Sequence, residues 1–144
     1  MKDLIDTTFG GNVRVRACGV LFKEDAILLV RHKGIGEKGC FWAPPGGGVE
    51  FGESIHSALK REFQEECNIK IEVGDFLFIN EFIQPPLHAI ELFYKVTFVE
   101  GELKLGTDPE LSVNFITDLR FLTKNELEEI TNSSIHPVVS KLIE

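Results

Sequence analysis

Glu62, Glu65 and Glu66 stand at the i, i+3 and i+4 spacing that gathers side chains on one face of an α-helix. The segment 54–67 supports such a helix. Ser54 is a good N-cap, and neither Pro nor Gly interrupts the residues from there to Cys67. Ile55, Ala58, Leu59 and Phe63 form its apolar stripe; Glu62 and Glu66 fall inside that stripe and Glu65 at its edge. Carboxylates there are costly. Two of them about 6 Å apart repel by roughly 3 kcal/mol at an effective dielectric near 20, and partial burial adds desolvation. Lys60 and Arg61 fall on the opposite side with Ser57 and Gln64, so neither is set to neutralise the pair. A divalent cation is the economical solution, and Mg²⁺ favours oxygen ligands while keeping several waters. The plainer reading of an acidic run is a solvated helix face.

The segment before the helix favours the metal. Pro44 and Pro45 lead into Gly46, Gly47 and Gly48, then Glu50 and Glu53. Three glycines allow positive φ and close approach of a ligand, and their carbonyls can turn inward as oxygen donors. Glu53 is eight residues before Arg61, too far for a helical pair, but a loop can fold it back onto the helix. A second glycine segment, Gly34-Ile35-Gly36-Glu37-Lys38-Gly39, matches G-x-G-x-x-G literally. That motif works by holding pyrophosphate on a helix N-terminus. Here Cys40 to Pro45 comes next, which cannot open a helix, so the segment reads as a surface loop. No G-K-[ST] ending marks a P-loop.

The elements that must hold these residues are mixed. Residues 13–22 and 26–31 read as strands joined at Lys23-Glu24-Asp25. Residues 71–83 and 88–99 read as longer strands separated by Pro85-Pro86, and 111–119 as another. A short helix spans 123–130, with Thr123 as N-cap and Glu126 completing a capping box. A last helix can start after His136, with Pro137 in its first turn. Few, separated helices among many strands favour an α+β fold, a mixed sheet with helices on its faces. A single domain over 1–144 is expected: 144 residues, 43% of them hydrophobic, suit one core.

Composition excludes several classes. The longest apolar runs are far short of the roughly 20 residues of a membrane span, and the start lacks a secretory signal, so the cytoplasm is expected. The three cysteines, Cys18, Cys40 and Cys67, are too few and too scattered for a disulfide framework. A net charge of −8 repels nucleic-acid duplexes. A small anionic substrate is still allowed where cations reverse the local field.

The stretch from Gly47 onward resembles the box of the Nudix hydrolases (MutT-like): Gly47, Glu53, Arg61, Glu62, Phe63, Glu65, Glu66 and Ile69 match in register. The family's glycine near the end of the box is Asn68 here, the next most tolerant residue for a left-handed position. The resemblance covers most of the chain and implies the family's α/β/α sandwich and a Mg²⁺-dependent enzyme, with Mn²⁺ as substitute. That enzyme would cut the diphosphate of a nucleoside diphosphate linked to another moiety: a nucleoside triphosphate, ADP-ribose or a nucleotide sugar. It also implies roles. Glu62 and Glu66 are the main metal ligands, and Glu65 a further ligand or nearby base. The Gly46 carbonyl completes the shell, and Arg61 and Glu53 pair to hold the loop. Glu110, in a downstream loop, is a second candidate base. Homodimers are common in the family, by analogy only.

For phosphate contacts the candidates are Arg31, which closes a strand beside the glycine segment, and Arg14 and Arg16, which share one strand face. Gly46, Gly47 and Gly48 would meet the substrate with Arg31. His32, His88 and Glu91 are further candidates to line the pocket. Phe41 and Trp42 suit core packing better than base stacking. Pro85 lies sixteen residues beyond Ile69, close to a proline that resembles the marker of ADP-ribose hydrolases in the family, although a turn explains it equally. Two other functions remain open: a catalytically silent Nudix-fold module that binds a nucleotide or effector, and a purely structural acidic domain.

Overall fold

The computed structural model describes residues 8–34, 39–106 and 115–143. Along them run strands β1 (Arg14–Val20), β2 (Phe22–Lys23), β3 (Ala26–Lys33), β4 (Cys40–Ala43) and β5 (Gly46–Gly48), then helix α1 (Ile55–Cys67). Strands β6 (Ile69–Gln84), β7 (Leu87–Gly101) and β8 (Ile116–Thr123) come next, and helices α2 (Lys124–Glu128) and α3 (Val139–Leu142) close the chain. Hydrogen bonding divides the strands into two sheets. One is mixed, in the order β5-β1-β7-β6, with β1 parallel to β7. The other is antiparallel around β3, which pairs β8 along one edge and β2 and β4 along the other.

Both faces of the central strands are covered, which explains their near-continuous apolar runs. On β3, Leu28 and Val30 enter a core with Ala58, Leu59 and Phe63 of α1, while Ile27 and Leu29 enter a second core with Leu127 of α2 and Val139 of α3. On β1, Ala17 faces the first core and Cys18 and Val20 the second. The strands therefore lie between α1 and the C-terminal helices, the α+β sandwich that the element pattern implies. Among the described residues no helix is long and apolar enough to cross a membrane.

Several boundaries move for physical reasons. The long strands run past their expected ends on both sides, because the β6–β7 hairpin pairs from Ile69↔Gly101 to Gln84↔Leu87, with register shifts between Lys70 and Ile71 and on either side of Phe76, around a cis Pro85-Pro86 bond. Gly46–Gly48 is a strand and not a loop; its backbone pairs with Arg16, Ala17 and Cys18 of β1. Of the strand expected over 111–119, residues 111–114 lie outside the described residues. The rest belongs to β8, which extends to Thr123. Thr123 and Glu126 form the expected capping box, with reciprocal bonds of 3.0 and 3.2 Å.

Helix α1 can approach β1 closely because Gly19 has no side chain: a Cβ there would run into the Phe63 ring. Gly19→Val should therefore force Phe63 off its seat and destabilise the fold by about 1–3 kcal/mol. The check is the urea midpoint; an unchanged midpoint would mean that the contact carries no packing energy.

Candidate functional site

The site is organised by α1. Ser54 caps it, its Oγ accepting the Ser57 N–H at 3.1 Å. Asn68 ends it in left-handed geometry, φ 60°, as its place in the box requires. Between these caps the helix buries Ala58, Leu59 and Phe63, and on the same side Glu62 and Glu66, 5% and 3% exposed. Glu65 keeps 28% of its side chain exposed.

Strand β5 lies directly over the two buried carboxylates. A Cβ on Gly47 would collide with the Glu62 carboxyl, so only glycine fits. Gly46 donates its N–H to Glu66 Oε1 at 3.0 Å. Its carbonyl accepts from Arg16 Nη2 at 3.2 Å, and Arg16 lines the same cleft as Glu62 and Glu66. The Gly46 N–H meets Glu66, and the carbonyl expected to join a metal shell accepts from Arg16.

Arg61 corrects a second expectation. Its Nε and Nη2 bind Glu53 at 2.7 and 2.9 Å, and Nη2 also reaches the Gly48 carbonyl at 3.1 Å. The same guanidinium gives Nη1 to Glu62 at 2.9 Å and to Glu65 at 3.2 Å. Helical angle puts Arg61 on the far side, but its length lets the planar head curl back to a cluster of acceptors. The bond to Glu53 leads in raising the Arg61 pKa, and the bond from Arg61 holds the Glu53 carboxyl below its usual range. Glu53 folds back onto the helix as expected.

Burial lifts Glu62 to a pKa of about 7, against the opposing pull of Arg61. Six carboxylates, of Glu50, Glu53, Glu62, Glu65, Glu66 and Glu91, neighbour two guanidiniums, of Arg16 and Arg61. Negative charge is in excess. Among the described residues no three acidic, imidazole or thiol groups are already converged as a finished ion cage. The donor set nevertheless suits a hard cation: oxygen ligands, excess charge and a glycine strand that leaves the carboxyls unscreened.

Glu62 and Glu66 line one cleft together with Arg16, Phe41, Phe82 and Glu91. Arg16 stands on its wall, its Nη1 2.7 Å from Glu91 Oε2. Glu91, 1% exposed, also accepts from Asn80 at 3.1 Å and from His136 Nε2 at 2.7 Å. The Val138 N–H donates to His136 Nδ1 at 3.1 Å, so the proton of the neutral ring sits on Nε2. Burial opposes ionisation of Glu91, but the His136, Arg16 and Asn80 contacts prevail and hold its pKa below the usual value.

The structure brings Arg14, His32, Phe41 and His88 to the same cleft. Arg31 is not on its wall. His32 pairs with Phe41 and Arg31 with Trp42; strand alternation turns Arg31 to the Trp42 side, away from the ligand face. Trp42 packs in the second core, as expected. Gly48 meets Arg61 through its carbonyl and is not part of the cleft wall. Glu110 and residues 35–38 lie outside the described residues; the chain leads toward Glu110 from Gly106, whose N–H donates to the Glu66 carbonyl at 2.9 Å. Asn80, Phe82 and His136 escaped the sequence reading. Each stands in an ordinary strand or tail context, and only long-range pairing unites them. Burial pushes the Cys18 and Cys67 thiols up, which removes them as nucleophiles.

Residues 12–142 match the NUDIX domain family. An "ADP-ribose pyrophosphatase" of Methanocaldococcus jannaschii is 36% identical over 108 residues, 74% of this chain and 62% of that protein. The chain thus spans about three-fifths of that relative's length. Among solved structures, a NUDIX hydrolase from Nitrosomonas europaea superposes with TM-score 0.75 at 20% identity, covering 92% of this chain and 86% of the other. A MutT NUDIX hydrolase from Burkholderia pseudomallei gives TM-score 0.69 at 25% identity, covering 85% and 93%.

The buried carboxyl has a pH signature. In the metal-free protein Glu62 keeps its proton up to about pH 7 when folded, against 4.5 as the ordinary value. The folded chain then binds the extra proton between those values, and the stability it contributes is lost as pH rises through the window. Thermal midpoints of the metal-free protein should fall from pH 4.5 toward 7, and Glu62→Gln should flatten that fall. An equal slope in both would assign the titration to another group.

Proposed function

Because the chain belongs to the Nudix family, we propose that it is a divalent-metal-dependent hydrolase of a nucleoside diphosphate linked to a second moiety. ADP-ribose is its leading substrate class. The observation that carries this reading is the pair of buried carboxylates, Glu62 and Glu66, beneath a strand of glycines at the end of an open cleft. The substrate class rests on the relative named as an ADP-ribose pyrophosphatase.

Glu62 and Glu66 would hold the ion, with Glu65 as a further ligand or as the base beside it, Mg²⁺ as the physiological choice and Mn²⁺ as substitute. When bound, it would neutralise the diphosphate and acidify water. The protein's own groups do the rest. Arg16, braced by Glu91 and the Gly46 carbonyl, offers a fixed guanidinium to the phosphate oxygens. Arg61 locks the β5 strand, the Glu53 loop and α1 into one unit, so that the acidic face is set before substrate arrives. Water attacks one phosphorus, the bridging P–O bond breaks, and the second phosphate departs. The water proton passes to a carboxylate. Glu65 is the first candidate base because it is the most exposed of the three and is steered by Arg61 Nη1.

Glu66→Gln tests this directly. Gln keeps an oxygen to accept the Gly46 N–H, so the fold should persist with a near-normal melting midpoint. Mg²⁺-dependent release of AMP from ADP-ribose should drop to background. Nucleoside triphosphates, nucleotide sugars and dinucleoside polyphosphates in the same assay define the substrate. Wild-type levels of turnover in the variant would remove Glu66 from the site, and wild-type binding without turnover of any of these compounds would favour the silent module.

A further inference from the structure

Three histidines, His32, His88 and His136, line the cleft, and the two buried ones, His32 and His136, differ in one respect. His136 has both nitrogens engaged, Nε2 with Glu91 and Nδ1 with the Val138 N–H. His32 does not. The residue is 7% exposed, its ring packs 5.2 Å from Phe115, and its Nδ1 is buried with no hydrogen-bond partner among the described residues. Burial first, and then the nearby Arg16 and His136, lower its pKa to about 3. The ring is therefore neutral, with one N–H donor and one acceptor. A buried nitrogen without a partner opposes folding. Phenylalanine at this place would fill the same space without that cost.

Beside His32 lies an apolar wall. Phe41, Ala43, Phe82 and Ala89 form a third hydrophobic cluster, Leu87 packs both against it and against the first core, and every one of them lines the cleft. The Phe41 and Phe82 rings are 5.8 Å apart. His32 is the register partner of Phe41 across β3 and β4. The cleft thus has a charged end at Glu62 and Glu66 and an aromatic end at Phe41 and Phe82. A hydrogen-bonding ring with spare capacity stands at the aromatic end.

We propose that His32 is a specificity-determining residue that hydrogen-bonds the edge of a nucleobase resting on the Phe41–Phe82 wall. The inference deepens the nucleotide-diphosphate reading above and rests on it. A half-turn of the imidazole about Cβ–Cγ exchanges the two edges of the ring, and no bond at Nδ1 is lost in doing so. The ligand then supplies the partner that the described residues do not offer. A base that offers the wrong donor and acceptor pattern leaves that nitrogen unpaired and is discriminated against. Arg16 and the carboxylates at the other end hold the phosphates and are indifferent to the base.

The test compares wild type with His32→Phe and His32→Asn. Calorimetric titration without metal measures AMP, GMP, CMP and UMP, and a melting curve accompanies each protein. Wild type should prefer one or two bases by about tenfold or more. His32→Phe should melt at or above the wild-type midpoint and bind all four within about twofold of one another. His32→Asn should weaken the preferred base by a similar factor, which keeps the test open should the phenylalanine variant fail to fold. On the preferred substrate both variants should raise KM far more than they lower kcat. An unchanged base preference in the variants, or a wild type without preference, overturns the assignment. Pyrophosphate with Mn²⁺ separates the two levels of the argument. Binding of pyrophosphate but of no nucleotide sinks the role of His32 and leaves a diphosphate hydrolase. Binding of neither sinks the hydrolase reading itself.

Discussion

The structure depends on one constraint: two carboxylates, Glu62 and Glu66, lie one helical turn apart on the buried face of α1. Ordinary folding would place apolar groups there. Around the pair the chain gathers what makes that placement tolerable. Gly47 yields the space of a side chain, the Gly46 N–H donates to Glu66, and Arg61 binds Glu62 while holding Glu53 and Gly48. These contacts offset part of the desolvation and leave negative charge in excess, as the raised pKa of Glu62 reports. The remaining excess of negative charge is what a divalent cation can offset, so the buried pair and the proposed activity share one cause.

The two ends of the cleft solve different problems. At the acidic end β5 is stitched to β1 and Arg61 bridges loop to helix. At the other end the lining is aromatic and apolar. Glu91 ties the halves together. Its bonds to Arg16, Asn80 and His136 join β1, β6, β7 and the C-terminal segment at a single buried carboxylate. The C-terminal segment is therefore part of the wall of the site as well as a lid on the second core, where Val138 and Val139 pack.

Local signals made the acidic helix legible. The spacing of Glu62, Glu65 and Glu66, the Ser54 cap, and Asn68 at the left-handed position all act within a few residues, and all appear as expected. The capping box at Thr123 and the hairpin around Pro85-Pro86 belong to the same class. The features that escaped were set by distance or by side-chain length. A helical wheel turns Arg61 away from the acidic face, but a side chain of that length reaches the acceptors around the helix. Gly46–Gly48 has the composition of a loop and becomes a strand because β1 offers its backbone a partner and Glu62 forbids any side chain. Arg31 and His32 are adjacent, and which of them faces the ligand is decided by pairing with β4, which no single-strand pattern reveals. His136 meets Glu91 across 45 residues of sequence.

The central claim is that a cation relieves the buried pair, and a melting titration with Mn²⁺ and Mg²⁺ at pH 7.5, roughly half a unit above the Glu62 value, measures it most directly. The account predicts a midpoint that rises and saturates with metal in the wild-type protein, and no such rise in the double variant Glu62→Gln, Glu66→Gln. A wild-type midpoint unmoved by millimolar amounts of either ion, or an equal rise in the double variant, would contradict it.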